Sequence, residues 1–200
     1  MRERISAALQ YACLGAGALL VSMVALARLE GEAGRQTAIE SFEAAAHLPD
    51  QSLWSPERVK DYEASLSIVK DAPLAILRIP DLGLEVPVYA TASELHLNRG
   101  AGLIEGMGVP DKGGNLGIAG HRDGFFRVLK DIAPGEKIEI ETKNRRHVFR
   151  VVSTEIVEAT DLRPLADTAD PTITLVTCYP FYFLGHAPQR FIVRGTYEWT

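Results

Sequence analysis

The run "TITLVTC", residues 172–178, closes on Cys178, the side chain in this sequence best suited to form a covalent bond. A thiolate is a strong nucleophile and a good leaving group, which suits it to carry an acyl group between two partners. The other cysteine, Cys13, lies in a long apolar run near the N-terminus, so an intramolecular disulfide with Cys178 is geometrically implausible. Two readings of Cys178 follow: a reactive thiol, or a small buried hydrophobe. Two further residues could complete an acyl-transfer site. His121 ends "NLGIAGH", where Gly117 and Gly120 are expected to leave room for close backbone or substrate approach. Arg190 opens "RFIVRG" and supplies a permanent cation 12 residues beyond the thiol. Thiolate attack on a peptide carbonyl gives a thioester, an imidazolium protonates the leaving amine, and a guanidinium holds the oxyanion or the substrate backbone.

Each assignment has a competitor. His186, in the loop between Cys178 and Arg190, is the rival base, but a strand end is the stiffer platform and favours His121. His47 falls in a polar stretch, His96 in a helix-like turn and His147 in the basic tip "KNRRH". Asp123 follows His121 closely and could orient it, although an acidic residue at a strand end more often forms a turn. No Cys-x-x-Cys pair, His-x-x-x-His pair or GxxxxGK loop is present, which disfavours zinc and nucleotide chemistry.

The elements that must position these residues are mostly strands. Seven short apolar or alternating runs lie between residues 74 and 197: "LAILRIP", "LEVPVYA", "LGIAGH", "EKIEIET", "HVFRVVSTEIV", "TITLVT" and "RFIVRGTY". Their spacing and the turn residues between them predict a mainly β domain, barrel or sandwich. Ahead of them, Ser55-Pro56 reads as a helix start, and Val59, Tyr62 and Leu66 mark the face that docks on the domain.

The chain has 200 residues, 46% of them hydrophobic, enough for one globular domain and an appendage. Its net charge of −5 gives no surface for nucleic acid, and "KNRRH" reads as a solvated hairpin tip. From Ile5 to Ala27 there is no charged residue over 23 positions, long enough to cross a hydrocarbon core of about 30 Å as a helix. Arg2 and Arg4 favour an N-terminus held in the cytoplasm. The alternative is a cleaved signal peptide ending at Ala25-Leu26-Ala27, but the run is longer than a usual signal core. The expected organisation is a cytoplasmic tip and anchor over 1–29, a helical stalk over 30–53 and a β domain over 54–200, outside the cytoplasm.

Taken together, "TLVTC" at 174–178, "AGHRDGFFRVLKDI" at 119–132 and "APQRFIVRG" at 187–195 resemble the sortases, membrane-anchored cysteine transpeptidases of the bacterial envelope. The likeness extends over residues 53–197, and "TCYPFYFLGHAPQRF" with the leading helix is most like class D. The resemblance implies an eight-stranded β-barrel with short helices, one strand more than the pattern yields. It implies Cys178 as nucleophile, His121 as general acid and base, and Arg190 as the positioning and oxyanion-holding cation. Thr177 would assist the oxyanion through its hydroxyl or backbone. The implied partners are proteins with an LPxTG-like C-terminal sorting signal and an amine acceptor, a peptidoglycan precursor or a pilin lysine. Some sortases bind calcium through loop carboxylates; no such cluster is matched here, and neither metal nor cofactor is expected. The remaining alternatives are an exported cysteine peptidase with water as acceptor and a non-catalytic envelope domain that binds peptides.

Overall fold

A computed structural model describes residues 20–23, 49–68, 71–182, 185 and 187–199. The chain divides into two compact units, Met1–Leu48 and Pro49–Thr200. Apart from residues 20–23, which are helical, the expected membrane helix Ile5–Ala27 lies outside the described residues. Among the described residues no helix is long and apolar enough to cross a membrane. Of the expected stalk, residues 49–53 are described, and they belong to the second unit.

That unit is a closed barrel of eight strands: β1 Ala75–Ile79, β2 Leu84–Tyr89, β3 Ala101–Leu103, β4 Asn115–Ala119, β5 Lys137–Thr142, β6 Arg146–Glu158, β7 Thr172–Tyr179 and β8 Gln189–Tyr197. Around the barrel the order is β1-β2-β3-β4-β7-β8-β6-β5, with β5 returning to β1. The pairs β2–β3 and β4–β7 are parallel, and the rest are antiparallel. Seven strands coincide with the seven apolar runs. The eighth, β3, is three residues long and includes Gly102, too short to alternate and too small to register as a strand signal. Its partner Val88 lies in β2 on the far side of a short helix, α2 Glu94–Arg99, so local pattern carries no trace of the pairing.

Alternation fixes the inside of the barrel. In β1, Ala75, Leu77 and Ile79 are buried while Ile76 and Arg78 between them are partly exposed. Leu77, Val86, Ile118, Ile138, Ile140, Ile173 and Leu175 meet in one core with Phe126 and Leu129 from the 3-10 helix Phe125–Asp131. The leading helix α1, Pro56–Ile68, begins as its sequence predicts: Ser55 Oγ accepts from Arg58 N at 3.2 Å and Pro56 takes the first position. Its buried face differs from the expected one. Tyr62 and Ser65 are covered, whereas Leu66 is exposed. Tyr62 stacks edge-on with Trp54 and Phe125, whose centroids lie 5.5 and 6.0 Å away, and this aromatic trio docks α1 beside the segment that follows His121.

The glycines of "NLGIAGH" serve packing rather than approach. A Cβ on Gly120 would fall 2.6 Å from ring atoms of Phe126, and one on Gly117 would fall 2.1 Å from the Met107 sulfur. The two sites therefore differ in cost. Met107 can swing aside, but Phe126 is fully buried and has nowhere to go. Gly120→Ala is expected to lose about 2 kcal/mol through overpacking. Thermal unfolding should read this as a Tm lower by roughly 4–8 °C, with a smaller drop for Gly117→Ala.

Candidate active site

Strand register brings the three sequence-selected residues to one rim. Cys178 in β7 and Arg190 in β8 are direct antiparallel partners, so both side chains stand on the same face. On the other side of β7, β4 runs parallel with Ala119 opposite Val176, and Gly120 N still donates to Val176 O at 3.1 Å beyond the end of the strand. Continuing that register by two residues sets His121 beside Cys178. Neighbouring strands lie about 4.8 Å apart, so the order His121, Cys178, Arg190 is spelled across three adjacent backbones.

Cys178 is a free, half-buried thiol at the penultimate position of its strand. Val176 and its cross-strand partner Ile192 share its face and give the rim an apolar floor. The connection between β6 and β7 closes over this face through a buried polar lock. Asn115 Nδ2 donates to Pro164 O and Ala166 O at 3.0 and 2.8 Å, and Thr174 Oγ1 donates to Asn115 Oδ1 at 2.7 Å. Arg190 is held in place by its own loop: Nη1 donates to Ala187 O and Gln189 O at 3.2 and 2.9 Å. Among the described residues no acceptor engages its Nε or Nη2, which leaves that edge of the fork for a ligand.

His121 sits between unlike charges. Its Nε2 lies 3.3 Å from Glu94 Oε1 on α2, close enough for an ion pair when the ring is charged, yet without the alignment of a hydrogen bond. Burial pulls its pKa below the ordinary 6.5, and the nearby Arg58 guanidinium pulls in the same direction; Glu94 and Asp123 oppose them. Neutral imidazole therefore predominates at pH 7.

Other expectations are resolved by contact. Asp123 does not orient His121; its Oδ1 accepts from Arg58 Nε at 3.1 Å. Thr177 faces away from Cys178 and is 2% exposed, and its hydroxyl donates to Gly120 O at 2.8 Å. That hydroxyl is a strut between β7 and the His121 turn. His147 is not part of a solvated tip: β6 already begins at Arg146, so its ring is buried, with Nε2 2.5 Å from Asp111 Oδ1. Its surroundings include Thr172, about 20 Å along β7 from Cys178. His96 is engaged with Thr91, with Asp71 and, by stacking, with Tyr89. His186 lies outside the described residues. Among the described residues no group of three or more His, Cys, Asp or Glu could hold a metal ion. The sequence reading passed over Arg58 and Glu94, which lie far from His121 along the chain in helices that carry no catalytic pattern of their own.

A family model, the Sortase domain, matches residues 77–198, a stretch that includes Cys178, His121 and Arg190. The chain belongs to the sortase family. It is 30% identical over 121 residues to Sortase D of Bacillus subtilis (strain 168), a match that covers 60% of this chain and 61% of that protein and fits the class D likeness. Among solved structures, a Clostridium perfringens Sortase D5 transpeptidase superposes with a TM-score of 0.58 at 21% identity, covering 71% of this chain and 94% of that one. Sortase C1 from Streptococcus agalactiae gives 0.60 at 28% identity, covering 77% and 79% respectively. The expected eight-stranded barrel is thus the barrel of this sortase.

Proposed function

We propose that this sortase is a membrane-anchored cysteine transpeptidase that cleaves an LPxTG-like sorting signal and transfers the protein to an amine acceptor of the cell envelope. The observation that carries the proposal is the cross-strand pairing of Cys178 with Arg190, beside the strand end that presents His121. The neutral imidazole of His121 takes the proton of Cys178 as Sγ attacks the scissile carbonyl carbon after the threonine. The free edge of Arg190 holds the oxyanion that forms. As the intermediate collapses, the carbon–nitrogen bond breaks, His121 returns the proton to the leaving amine, and a thioester to Cys178 remains. An acceptor amine then attacks the thioester, gives a proton to His121 and releases the thiolate, which takes that proton back. The apolar floor of Val176 and Ile192 suits the leucine and proline of the signal. Thr177 acts by holding the His121 turn. The acceptor is a peptidoglycan precursor or a pilin lysine, and the segment Ile5–Ala27 anchors the enzyme as a single span, with residues 54–200 as the catalytic domain on the extracytoplasmic side.

Intact mass measurement of residues 30–200 mixed with a panel of LPxTG-like peptides, with and without an amine, tests the reading. The expected result is a mass gain equal to the peptide's N-terminal fragment, discharged faster when the amine is present. Discharge by water alone, indifferent to amine, would make the protein a peptidase. A panel that yields neither adduct nor cleavage, with Cys178 also unreactive to a thiol reagent, would leave a binding domain.

A further inference from the structure

Arg58 is the least explained charge near the rim. Its side chain is 11% exposed, although it stands on α1, outside the barrel. Two hydrogen bonds and an ion pair from three segments hold the guanidinium: Nε donates to Asp123 Oδ1 at 3.1 Å, Nη1 donates to Asn98 Oδ1 of α2, and Asp61 Oδ2 of α1 lies 4.0 Å from Nη1. A buried cation held in this way is fixed in position, and its field is little screened by solvent. Its stem passes close to His121. A Cβ on Gly124 would stand 3.4 Å from Arg58 Cδ and 3.7 Å from His121 Cβ, so the two side chains flank the same glycine. On the opposite charge side, Glu94 is 72% exposed and meets Nε2 at 3.3 Å. The charged groups acting on the ring are therefore Arg58 from α1, Glu94 from α2 and Asp123 from its own turn; Arg122, next to His121 in the chain, donates from Nη2 to Gly185 O at 2.8 Å, and Cys178 and Arg190 stand across the rim.

We propose that Arg58 and Glu94 are positioning residues that set the charge balance of His121 in opposite senses, Arg58 favouring the neutral ring and Glu94 the imidazolium. This rests on the acid–base role proposed for His121, but the charge balance itself can be measured without turnover. Helix α1 then has a role beyond packing: it delivers a cation to the acid–base residue and ties Asp123, in the same turn, to α2. Asp123 belongs to the same device, because its carboxylate would favour the imidazolium if Arg58 did not neutralise it.

The test is the titration of the His121 ring by NMR in the folded protein, alongside the pH profile of kcat/KM. Arg58→Gln removes the cation and bares Asp123, so the His121 pKa should rise by about one pH unit. Arg58→Lys keeps the charge while losing the forked grip on Asp123 and Asn98, and should stay nearer the wild type. Glu94→Gln should lower the pKa by roughly half a unit, and that difference should shrink at high salt because Glu94 is exposed. The acidic limb of the kcat/KM profile should move with the titration in each case. Shifts of Arg58→Gln and Glu94→Gln in the same direction, or a Glu94→Gln titration identical to the wild type, would overturn the inference. Glu94 is exposed enough that its variant folds, so the second outcome stays decisive even if Arg58→Gln does not fold. Ring titrations that shift in opposite directions while no peptide is cleaved would support the charge balance and count against the transpeptidase reading instead.

Discussion

Replacing Cys178 by alanine is expected to leave a folded barrel that carries no acyl adduct and turns over no sorting peptide. The structural cost is small, because the residue is half-buried at the end of β7 and its backbone pairing with Arg190 does not depend on the side chain. The chemical cost is the loss of the proposed nucleophile. Losing the nucleophile of a well-built acyl-transfer site slows turnover by roughly 10^6-fold, below detection in a peptide assay. Cys178→Ser is the sharper variant. It keeps an attacking atom in place, but a hydroxyl must be deprotonated by a base, and burial together with Arg58 makes His121 a weak one. The serine variant should therefore also fail, with a Tm close to that of the wild type. Measurable acylation of Cys178→Ala at another residue, found by mass mapping, would remove Cys178 from its role.

The fold and the rim were legible for a shared reason: both are written in strand pattern. Alternation in runs such as "AILRI" places Leu77 and Ile79 inside the barrel, and the ends of "NLGIA" and "TITLVTC" mark where side chains leave the core. What escaped depends on contacts between distant segments. β3 is visible only through its parallel pairing with β2. Gly120 is a glycine because Phe126 lies against it, a fact of packing six residues downstream. Asp123 is a neighbour of His121 in sequence but a partner of Arg58 in space, 65 residues away. Thr177 sits next to the thiol in the chain, but the two-residue period of a strand turns its hydroxyl to the other face, where Gly120 O accepts it. Adjacency along a strand thus misleads about side-chain company, whereas adjacency across strands, which put Arg190 opposite Cys178, decides it.

Arg190 yields the second large effect, and its geometry makes lysine almost as damaging as alanine. The Nη1 end of the guanidinium is committed to Ala187 O and Gln189 O, and among the described residues nothing engages the other edge of the fork, the edge proposed to meet an oxyanion or a substrate carbonyl. An ammonium at the same place has one nitrogen, which the same two carbonyls would capture. The charge would persist without a donor aimed at the reacting atom. Removing one oxyanion donor costs about 10^2–10^3 in kcat, so Arg190→Ala should fall in that range and Arg190→Lys within about tenfold of it. Acylation rates from rapid-quench mass measurement separate this from a binding effect, since a donor used only in the transition state lowers kcat with little change in KM. Wild-type turnover in Arg190→Lys would show that positive charge alone suffices and that the fork is incidental. Wild-type turnover in Arg190→Ala would take the oxyanion role away from Arg190 and leave its pairing with Cys178 as a feature of the barrel alone.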